Sequence, residues 1–206
     1  MNYKFSDTEL KKLLKDNFVI LVDTKEQSNF HITSFFEDQK IKYKTKSLDV
    51  GDYTAMITKR PEMGIYRDLY FPVTIERKNS IDEIAGNLAE RTETKEVQRL
   101  IRELARGKAQ NLKMFLLLED ANGLENIRHG RYRSLYKSKS LMGRISSIED
   151  EYLAGTVFTS RENSGYHIAR KLYYSVRNFL KAGDFEISPE EIGGDIETLR
   201  GEWVEY

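Results

Sequence analysis

Two runs of five apolar residues constrain the fold of this chain more than any other feature. Phe18–Val22 is followed directly by Asp23, and Met114–Leu118 is followed by Glu119 and Asp120. A strand that is apolar at every position, rather than at alternate positions, is typically buried on both faces. Neither run approaches the length of about 20 apolar residues that crosses a bilayer. We therefore expect two central strands of a mixed sheet that helices cover on both sides, which is an α/β/α arrangement.

The remaining pattern supplies further strands and helices. Ser80 and Glu83 have the spacing of a capping box, so a helix is expected to begin there, and Gly107 is expected to end the following helix. The strands within 42–77 have short connections, which predicts an antiparallel meander. A helix is expected at 7–15, with Ser6 or Asp7 as its N-cap. Further helices are expected at 27–39, from 80, and at 92–107, 141–152 and 165–182, with further strands at 42–47, 52–58, 69–77 and 155–160.

Charge is segregated along the chain although the total is zero, with 33 basic and 33 acidic residues among 206. Residues 184–206 hold eight acidic residues and one basic residue, which leaves 32 basic and 25 acidic residues in 1–183. The first part therefore has a net charge of +7 and the second −7. We expect one domain at 1–183, whose basic balance suits a nucleic-acid partner, and an acidic C-terminal tail at 184–206, which is a candidate contact for a partner protein.

Composition excludes several classes of site. The chain has no cysteine, which rules out disulfides, thiolate metal sites and cysteine nucleophiles. Its three histidines, His31, His129 and His167, are too scattered for a zinc site. The N-terminal residues lack the apolar core of a signal peptide. We expect an intracellular, cytoplasmic protein without membrane association.

Charged residues gather at the ends of two expected strands. Residues i and i+2 of a strand share a face, so Glu76 and Lys78 point one way and Arg77 the other. If Asp52 lies on the paired strand, two carboxylates and one ammonium converge. Mg²⁺ needs one or two carboxylates, and metal-bound water is a nucleophile near neutral pH. An isolated Glu-x-Lys is more often a solvated face, so the joint pattern is what predicts phosphodiester hydrolysis.

The same residues form a known signature. Gly-Asp at 51–52, Glu-Arg-Lys at 76–78 and Asp82 resemble the G-D…E-R-K-x-x-x-D signature of the XPF-type structure-specific endonucleases. The V-D-x-x-E string at 22–26 is similar to the V-D-x-R-E element of that family. The Leu-Leu-Glu at 117–119 is similar to its L-I-E-like strand.

The resemblance spans about residues 18–120 and carries expectations about fold and activity. It implies a restriction-endonuclease-like fold of the PD-(D/E)XK type, dependence on Mg²⁺ with Mn²⁺ as a substitute, a homodimer, and cleavage of flaps, forks or Holliday-type junctions in DNA recombination, repair or replication. It implies that Asp52 and Glu76 ligate the metal and that Lys78 assists the water. The residues implied to complete or support the site are Asp23, Glu26, Arg77 and Asp82.

DNA contacts are expected within residues 1–183, because no Gly-hairpin repeat of the family's tandem helix-hairpin-helix module follows them in this sequence. Residues 128–144 hold six Lys or Arg and no acid, with tyrosines between them. Cations neutralise phosphates, and aromatic rings stack on unpaired bases. Lys25 stands where the family usually has Arg, and it lacks the planar fork. The candidate DNA contacts are Lys25, Arg91, Arg128, Arg131, Tyr132, Arg133, Lys137, Lys139 and Arg144.

Two other functions stay open at this point. One is a non-catalytic DNA-binding partner that keeps the nuclease fold, which the presence of all the signature acids disfavours. The other is a different PD-(D/E)XK nuclease, acting on linear DNA. Failure to cleave any branched, flapped or single-stranded DNA with Mg²⁺ or Mn²⁺ would favour the first, and cleavage of linear duplex in preference to branched DNA would favour the second.

Overall fold

The computed structural model of the chain describes residues 5–88 and 95–183, with the side chains of 95–98 left out. Within these ranges six strands form one sheet and seven α-helices cover it. The strands are β1 (Phe18–Asp23), β2 (Tyr43–Lys46), β3 (Tyr53–Ile57), β4 (Leu69–Lys78), β5 (Lys113–Leu118) and β6 (Gly155–Phe158). The helices are α1 (Asp7–Asn17), α2 (Phe30–Asp38), α3 (Ile81–Leu88), α4 (Lys95–Ala109), α5 (Gly123–Arg128), α6 (Ser138–Tyr152) and α7 (Ser164–Ala182).

The sheet is mixed, with the strand order β2-β1-β3-β4-β5-β6. Only β3 runs against the other five strands. The carboxyl ends of β1, β4 and β5 therefore meet at one edge of the sheet, where β3 begins. The register between β3 and β4 shifts between Thr54 and Met56, opposite the part of β4 that contains Pro72. Proline donates no ladder hydrogen bond, which suits it to such an irregularity.

The prediction of an antiparallel three-stranded meander is wrong for β2. β3 and β4 form the antiparallel hairpin, but β2 pairs in parallel with β1, with Ile20 opposite Tyr43. The central strand β1 is buried at all six positions and has a neighbour on each side. β2 has the sequence Tyr-Lys-Thr-Lys and lies at the sheet edge, where lysines discourage pairing with other chains.

Helices cover both faces of the sheet, which confirms the α/β class expected from the two apolar runs. On one face α1, α2 and α7 pack on a core that includes Ile20, Ile75 and Leu117. On the other face α3 to α6 pack on a core that includes Leu116 and Leu118. Alternate residues of β5 thus point into the two cores, as a strand buried on both sides requires.

The helix signals in the sequence are confirmed at two starts and wrong at one end. Ser6 caps α1 in a full capping box with Glu9. Ser80 Oγ accepts the Glu83 N–H at 3.2 Å, but the Glu83 carboxylate accepts the N–H of Asn79 rather than that of Ser80. Gly107 does not end α4, which runs on to Ala109. A Cβ at Gly107 would lie 2.2 Å from Met114 Sδ, so glycine allows α4 to pack closely on β5.

Some expected features lie outside the described residues, and one observed helix was not expected. Arg91, the expected helix start at 92 and the tail at 184–206 lie outside the described residues. The short helix α5 was not predicted, because six residues give too little periodicity. Among the described helices, none has the length and apolar character needed to span a membrane.

Candidate active site

Asp52, Glu76 and Lys78 come together where β3 begins and β4 ends. Lys78 Nζ lies 2.7 Å from Glu76 Oε1, and both side chains are at most 10% exposed. The Asp52 N–H donates to the carbonyl of Ile75 at 2.9 Å, and Asp52 Oδ2 accepts the N–H of Arg77 at 2.7 Å. The strand pairing therefore places the Asp52 carboxylate beside residues 75–78, as the sequence predicts.

Glu76 and Lys78 line an open, polar pocket of about 340 Å³ between β4, α3 and α4. Lys78 Nζ also lies 3.6 Å from a carboxylate oxygen of Glu83. The pocket is accessible to a substrate, whereas the two side chains at its floor are largely shielded from water. Its lining comprises Glu76, Lys78, Asp82, Glu83, Gly86, Asn87, Arg99, Leu100 and Glu103.

The electrostatics of the site favour added positive charge. Burial raises the pKa of Asp52 well above its usual value, and the charge of Glu76 raises it further. Burial also raises the pKa of Glu76, which Lys78 opposes and Glu103 reinforces. Burial acts to lower the pKa of Lys78, but Glu76, Glu83 and Asp52 together outweigh it, so this pKa is raised. The acids outnumber Lys78, and a further cation would stabilise their ionised forms.

The glycine of the signature is required by the backbone at this point. Gly51 has a φ of +76°, a backbone conformation that residues other than glycine rarely adopt. A Cβ at Gly51 would lie 2.1 Å from Thr74 Oγ1 and 3.2 Å from the carbonyl oxygen of Ile75, both on β4. The Gly51 N–H donates to Glu103 Oε1 at 2.9 Å, which ties the turn to α4. Gly51 thus fixes the position of Asp52, the next residue.

Arg77 points to the opposite face of the sheet, again as the alternation predicts. Its guanidinium bonds Glu26 Oε1 at 2.6 Å and lies 2.9 Å from Glu119 Oε2. Glu119 Oε1 in turn lies 2.6 Å from His31 Nε2. These side chains join β4, β5 and the segment between β1 and α2. Arg77 therefore stabilises the sheet edge from the side that lacks the Glu76–Lys78 pair.

Asp23 and Asp82 hold loops. Asp23 is buried at the end of β1, and its Oδ1 accepts the N–H of Leu48 at 3.2 Å. Asp82 Oδ1 accepts the N–H groups of Arg133 and Ser134 at 2.8 and 2.7 Å. Partial burial acts to raise the pKa of Asp82, but these hydrogen bonds outweigh it and lower the pKa. The last acid of the signature thus anchors the loop before α6.

Comparison with known families now decides the identity of the fold. The family described as the ERCC4 domain matches residues 22–172 of this chain, well over half of its length. The chain belongs to the ERCC4 domain family. The resemblance to XPF-type endonucleases is confirmed, and membership supports endonuclease activity on DNA for this ERCC4 domain.

Solved structures share the fold of this chain. XPF from Aeropyrum pernix matches with a TM-score of 0.54 and 19% identity, over 88% of this chain and 71% of that chain. At this identity the match shows the shared fold. It is one of 18 matching chains. A search of curated proteins gave no match.

The donor set of this ERCC4 domain fits a divalent cation. Among the described residues, no group of three or more His, Cys, Asp or Glu side chains is arranged to hold a metal. Mg²⁺ does not need such a group, because it takes one or two carboxylates and keeps waters and substrate phosphates as its other ligands. Asp52 and Glu76 are hard oxygen donors, and the charge of Glu76 disfavours ionisation of Asp52. A cation held by both would remove that conflict.

The candidate DNA contacts of the ERCC4 domain fall into two groups. Arg131, Arg133, Lys137 and Lys139 are exposed on the loop before α6 and on its first turn, and Lys25 is exposed after β1. With Arg128, whose side chain is 61% exposed, the structure thus presents six of the nine candidates to solvent.

The other candidates are engaged or lie elsewhere. Tyr132 donates to the carbonyl of Tyr136 at 2.6 Å and packs against the α3–α6 core, so its ring is not free to stack. Arg128 pairs with Glu125 at 2.8 Å. Arg144 is half-buried with an enclosed Nε, and Arg91 lies outside the described residues.

Sequence reasoning missed three residues around the site. Glu103 reaches the Gly51 turn from the middle of α4, and His31 reaches Glu119 from the first turn of α2. No local pattern marks either residue, because each contact spans more than 50 positions. Glu83 was assigned only to helix capping, although it also lines the pocket.

Proposed function

We propose that this ERCC4 domain is a metal-dependent endonuclease that hydrolyses phosphodiester bonds in branched DNA, namely flaps, forks or Holliday-type junctions. The observation that carries the proposal is the buried Glu76–Lys78 pair beside Asp52, at the floor of an open polar pocket. A pocket of this kind admits a phosphate and keeps the reacting groups shielded from bulk water. Electrostatic interactions are stronger in such a shielded site than in water.

The residues at and beside the pocket floor have separate parts in the proposed reaction. Asp52 and Glu76 would hold Mg²⁺, with Mn²⁺ as a substitute. The bound ion would supply a Lewis acid and a water that is acidic near neutral pH. Lys78 keeps its proton, because its pKa is raised, so its ammonium stabilises the charge that grows on the phosphate. Glu103 and Gly51 keep Asp52 in position.

DNA would approach over the loop before α6. Asp82 lines the pocket and also anchors this loop, which supports a continuous surface from the Glu76–Lys78 pair to the exposed cations of the loop. Arg131, Arg133 and Lys137 would then neutralise phosphates on either side of the cleaved bond.

Cleavage of a substrate panel tests the proposal. Duplex, 3′ flap, 5′ flap, fork and four-way junction are incubated with the protein and Mg²⁺, and products are separated on a gel. Glu76→Gln should reduce cleavage by at least about 10³-fold, because losing one metal ligand removes most of the electrostatic catalysis. Glu151→Gln, at an exposed position on α6, is the matched control and should cleave like wild type.

The outcomes separate the possible functions. Cleavage by Glu76→Gln at the wild-type rate would contradict the site. Failure of the wild type to cleave any substrate with Mg²⁺ or Mn²⁺ would favour a non-catalytic DNA-binding partner. A preference for linear duplex would favour another kind of PD-(D/E)XK nuclease.

The proposal extends to assembly and context. We expect a homodimer, on the ground of the family resemblance, working on intracellular DNA in recombination, repair or replication. The acidic residues 184–206 are the proposed contact for a partner protein, in addition to the nuclease domain at 1–183. Sedimentation equilibrium of the full chain tests the dimer, and a chain truncated after Gly183 should remain dimeric if the tail serves only a partner.

A further inference from the structure

A second pocket, of about 400 Å³, lies on the other face of the sheet from the Glu76–Lys78 pair. It is formed where α1 ends, where β1 begins, and where α2 leads into β2, and α7 closes its side. Nothing in the proposed reaction uses it. Its lining comprises Leu14, Lys15, Phe18, Phe35, Gln39, Lys40, Ile41, Lys42, Tyr166, Ala169, Arg170, Tyr173 and Tyr174.

Aromatic rings form much of this wall. Tyr173 packs edge-on against Phe18, with ring centroids 5.8 Å apart, and Tyr166 packs edge-on against Phe35 at 6.5 Å. Tyr174 stands at 83° to Tyr173. Tyr166 is 49% and Tyr174 is 53% exposed. Phe35 and Tyr173 hold the rings of Tyr166 and Tyr174 edge-on. About half of each of these two tyrosines therefore stays in contact with solvent in the described structure.

The rim of the pocket is basic. Lys15, Lys40, Lys42 and Arg170 all line it, and the part of the chain that the structure describes contributes no Asp or Glu to the lining. The guanidinium of Arg170 lies 5.9 Å from the centre of the Tyr166 ring. Four cations beside an aromatic wall complement a polyanion that carries flat, apolar groups.

The position of the pocket suits a nucleic-acid strand that passes the sheet edge at which β1, β4 and β5 end. α7 begins at Ser164, close to Arg161, whose guanidinium lies 3.7 Å from Glu119 at that edge. From Tyr166 to Tyr174 the helix extends by about 12 Å away from the edge. The pocket therefore runs back along the sheet toward Phe18 at the start of β1.

We propose that this pocket binds unpaired nucleotides of a single-stranded DNA arm, with bases against Tyr166 and Tyr174 and phosphates at the basic rim. Stacking on aromatic side chains tolerates any base, and a basic groove follows the backbone. A cavity of this size admits a base or two but not a duplex, so the site selects single strands. The inference rests on the proposed function for DNA as the ligand and adds where the unpaired arm is held.

Binding of a labelled oligothymidylate about eight nucleotides long tests the site, since this length spans a typical single-strand groove. Anisotropy is measured in chelator, so that cleavage does not interfere. The double variant Tyr166→Ala/Tyr174→Ala should bind at least about tenfold more weakly. Tyr66→Ala removes a 77% exposed tyrosine outside the pocket and should stay within about twofold of wild type.

Two further measurements locate the contact. Arg170→Ala should lower the salt dependence of oligothymidylate binding by about 0.7 in the log–log slope, as loss of one phosphate contact predicts. Ultraviolet crosslinking of an oligonucleotide containing 5-iodouracil should modify Tyr166 or Tyr174. Wild-type affinity in the double variant, or crosslinks confined to other residues, overturns the proposal. A change in sedimentation of the double variant also overturns it, because a second copy of the chain would then occupy the pocket.

Failure of this site and failure of the proposed function look different. If Glu76-dependent cleavage occurs but the tyrosine variants bind oligothymidylate normally, only the pocket assignment is wrong. If the tyrosines govern oligothymidylate binding but no substrate is cleaved, the pocket assignment holds and the nuclease proposal is wrong.

Discussion

Arg77 lies between Glu76 and Lys78 in the sequence and on the opposite side of the sheet from both. Its partners, Glu26 and Glu119, are 11% and 1% exposed. Arg77 is thus the counter-ion that two buried carboxylates share, and Glu119 also lies 2.6 Å from His31 and 3.7 Å from Arg161. Removing one partner of such a network is costly, because the buried charges left behind lose a counter-ion. Arg77 therefore has a structural part to play whether or not it contacts DNA.

We expect Arg77→Ala to lower the free energy of unfolding by about 3–5 kcal/mol. Arg77→Lys should recover only part of this, because an ammonium cannot bond Glu26 and Glu119 in the fork geometry of arginine. Urea unfolding measures both. Arg133→Ala is the control, since its side chain is 92% exposed, and should change stability by less than about 0.5 kcal/mol. Equal stability of Arg77→Ala and wild type would show that the network contributes nothing.

At the scale of the elements, the packing of α4 on β5 depends on a missing side chain. Gly107 lies inside α4, and a Cβ there would meet Met114 and, at 3.1 Å, Val50. Helix propensity favours alanine at this position by about 1 kcal/mol. The contact acts in the other direction, because an overpacked core typically loses about 1–3 kcal/mol.

Gly107→Ala should therefore lower stability by up to about 2 kcal/mol, since the cost of overpacking exceeds the gain in helix propensity. Gly143→Ala is the matched control, because Gly143 lies inside α6 and a Cβ added there would meet nothing within 4 Å. It should raise stability by about 0.5–1 kcal/mol. Thermal unfolding of the two variants gives shifts of opposite sign. Stabilisation by both would mean that Met114 moves aside without cost.

The loop before α6 depends on one carboxylate. Asp82→Ala removes the acceptor for the N–H groups of Arg133 and Ser134, so these amides should exchange with solvent faster. DNA binding should weaken by about three- to tenfold, on the scale of a lost charge-assisted hydrogen bond. Asp82→Asn keeps an acceptor oxygen and should have a smaller effect. Hydrogen exchange and anisotropy measure the two effects, and unchanged exchange in Asp82→Ala would show that the loop is held by other contacts.

Single elements were predictable where their signal is local. The apolar runs of β1 and β5 and the cap of α1 follow from neighbouring residues. The partner of β2 does not, because its alternating lysines indicate a strand with a wet face without saying which strand it joins. The prediction that α4 ends at Gly107 was wrong for a related reason. This glycine allows a close contact with β5, and the helix pattern carries no information about that contact.

At the scale of the whole molecule, two large cores on opposite faces of the sheet and a small cluster of Val19, Leu21 and Met56 hold the described residues together, and none of them contains a candidate metal ligand. We therefore expect the domain to fold without a bound ion. This differs from small metal-binding domains, in which binding energy is folding energy. The candidate metal site is instead a feature added at the edge of a stable sheet.

Chelation should therefore separate activity from folding. With EDTA, cleavage should be lost completely, because the proposed reaction needs the ion. The melting temperature should change by less than about 2 °C, which corresponds to under ~1 kcal/mol for a chain of this size. Gel assays and differential scanning fluorimetry measure the two. Unfolding of the protein in EDTA would show that the ion has a structural part after all.

The sequence indicated which residues gather at the candidate site better than it indicated which distant residues support them. The order of the signature and the alternation along β4 indicated Asp52, Glu76 and Lys78 on one side and Arg77 on the other. The supports from α2 and α4, His31 and Glu103, depend on how distant elements pack. A single sequence carries no signal for such pairs.

The alternation along β4 also predicts which kinds of genetic change this protein tolerates. Deleting or inserting one residue between Thr74 and Glu76 would exchange the two faces, so that a guanidinium entered the carboxylate pocket and an acid entered the Glu26–Glu119 network. Substitutions at single positions alter one side of the sheet at a time. In a library of coding-sequence variants, in-frame single-codon indels in this short stretch should be depleted more strongly than substitutions at the same codons.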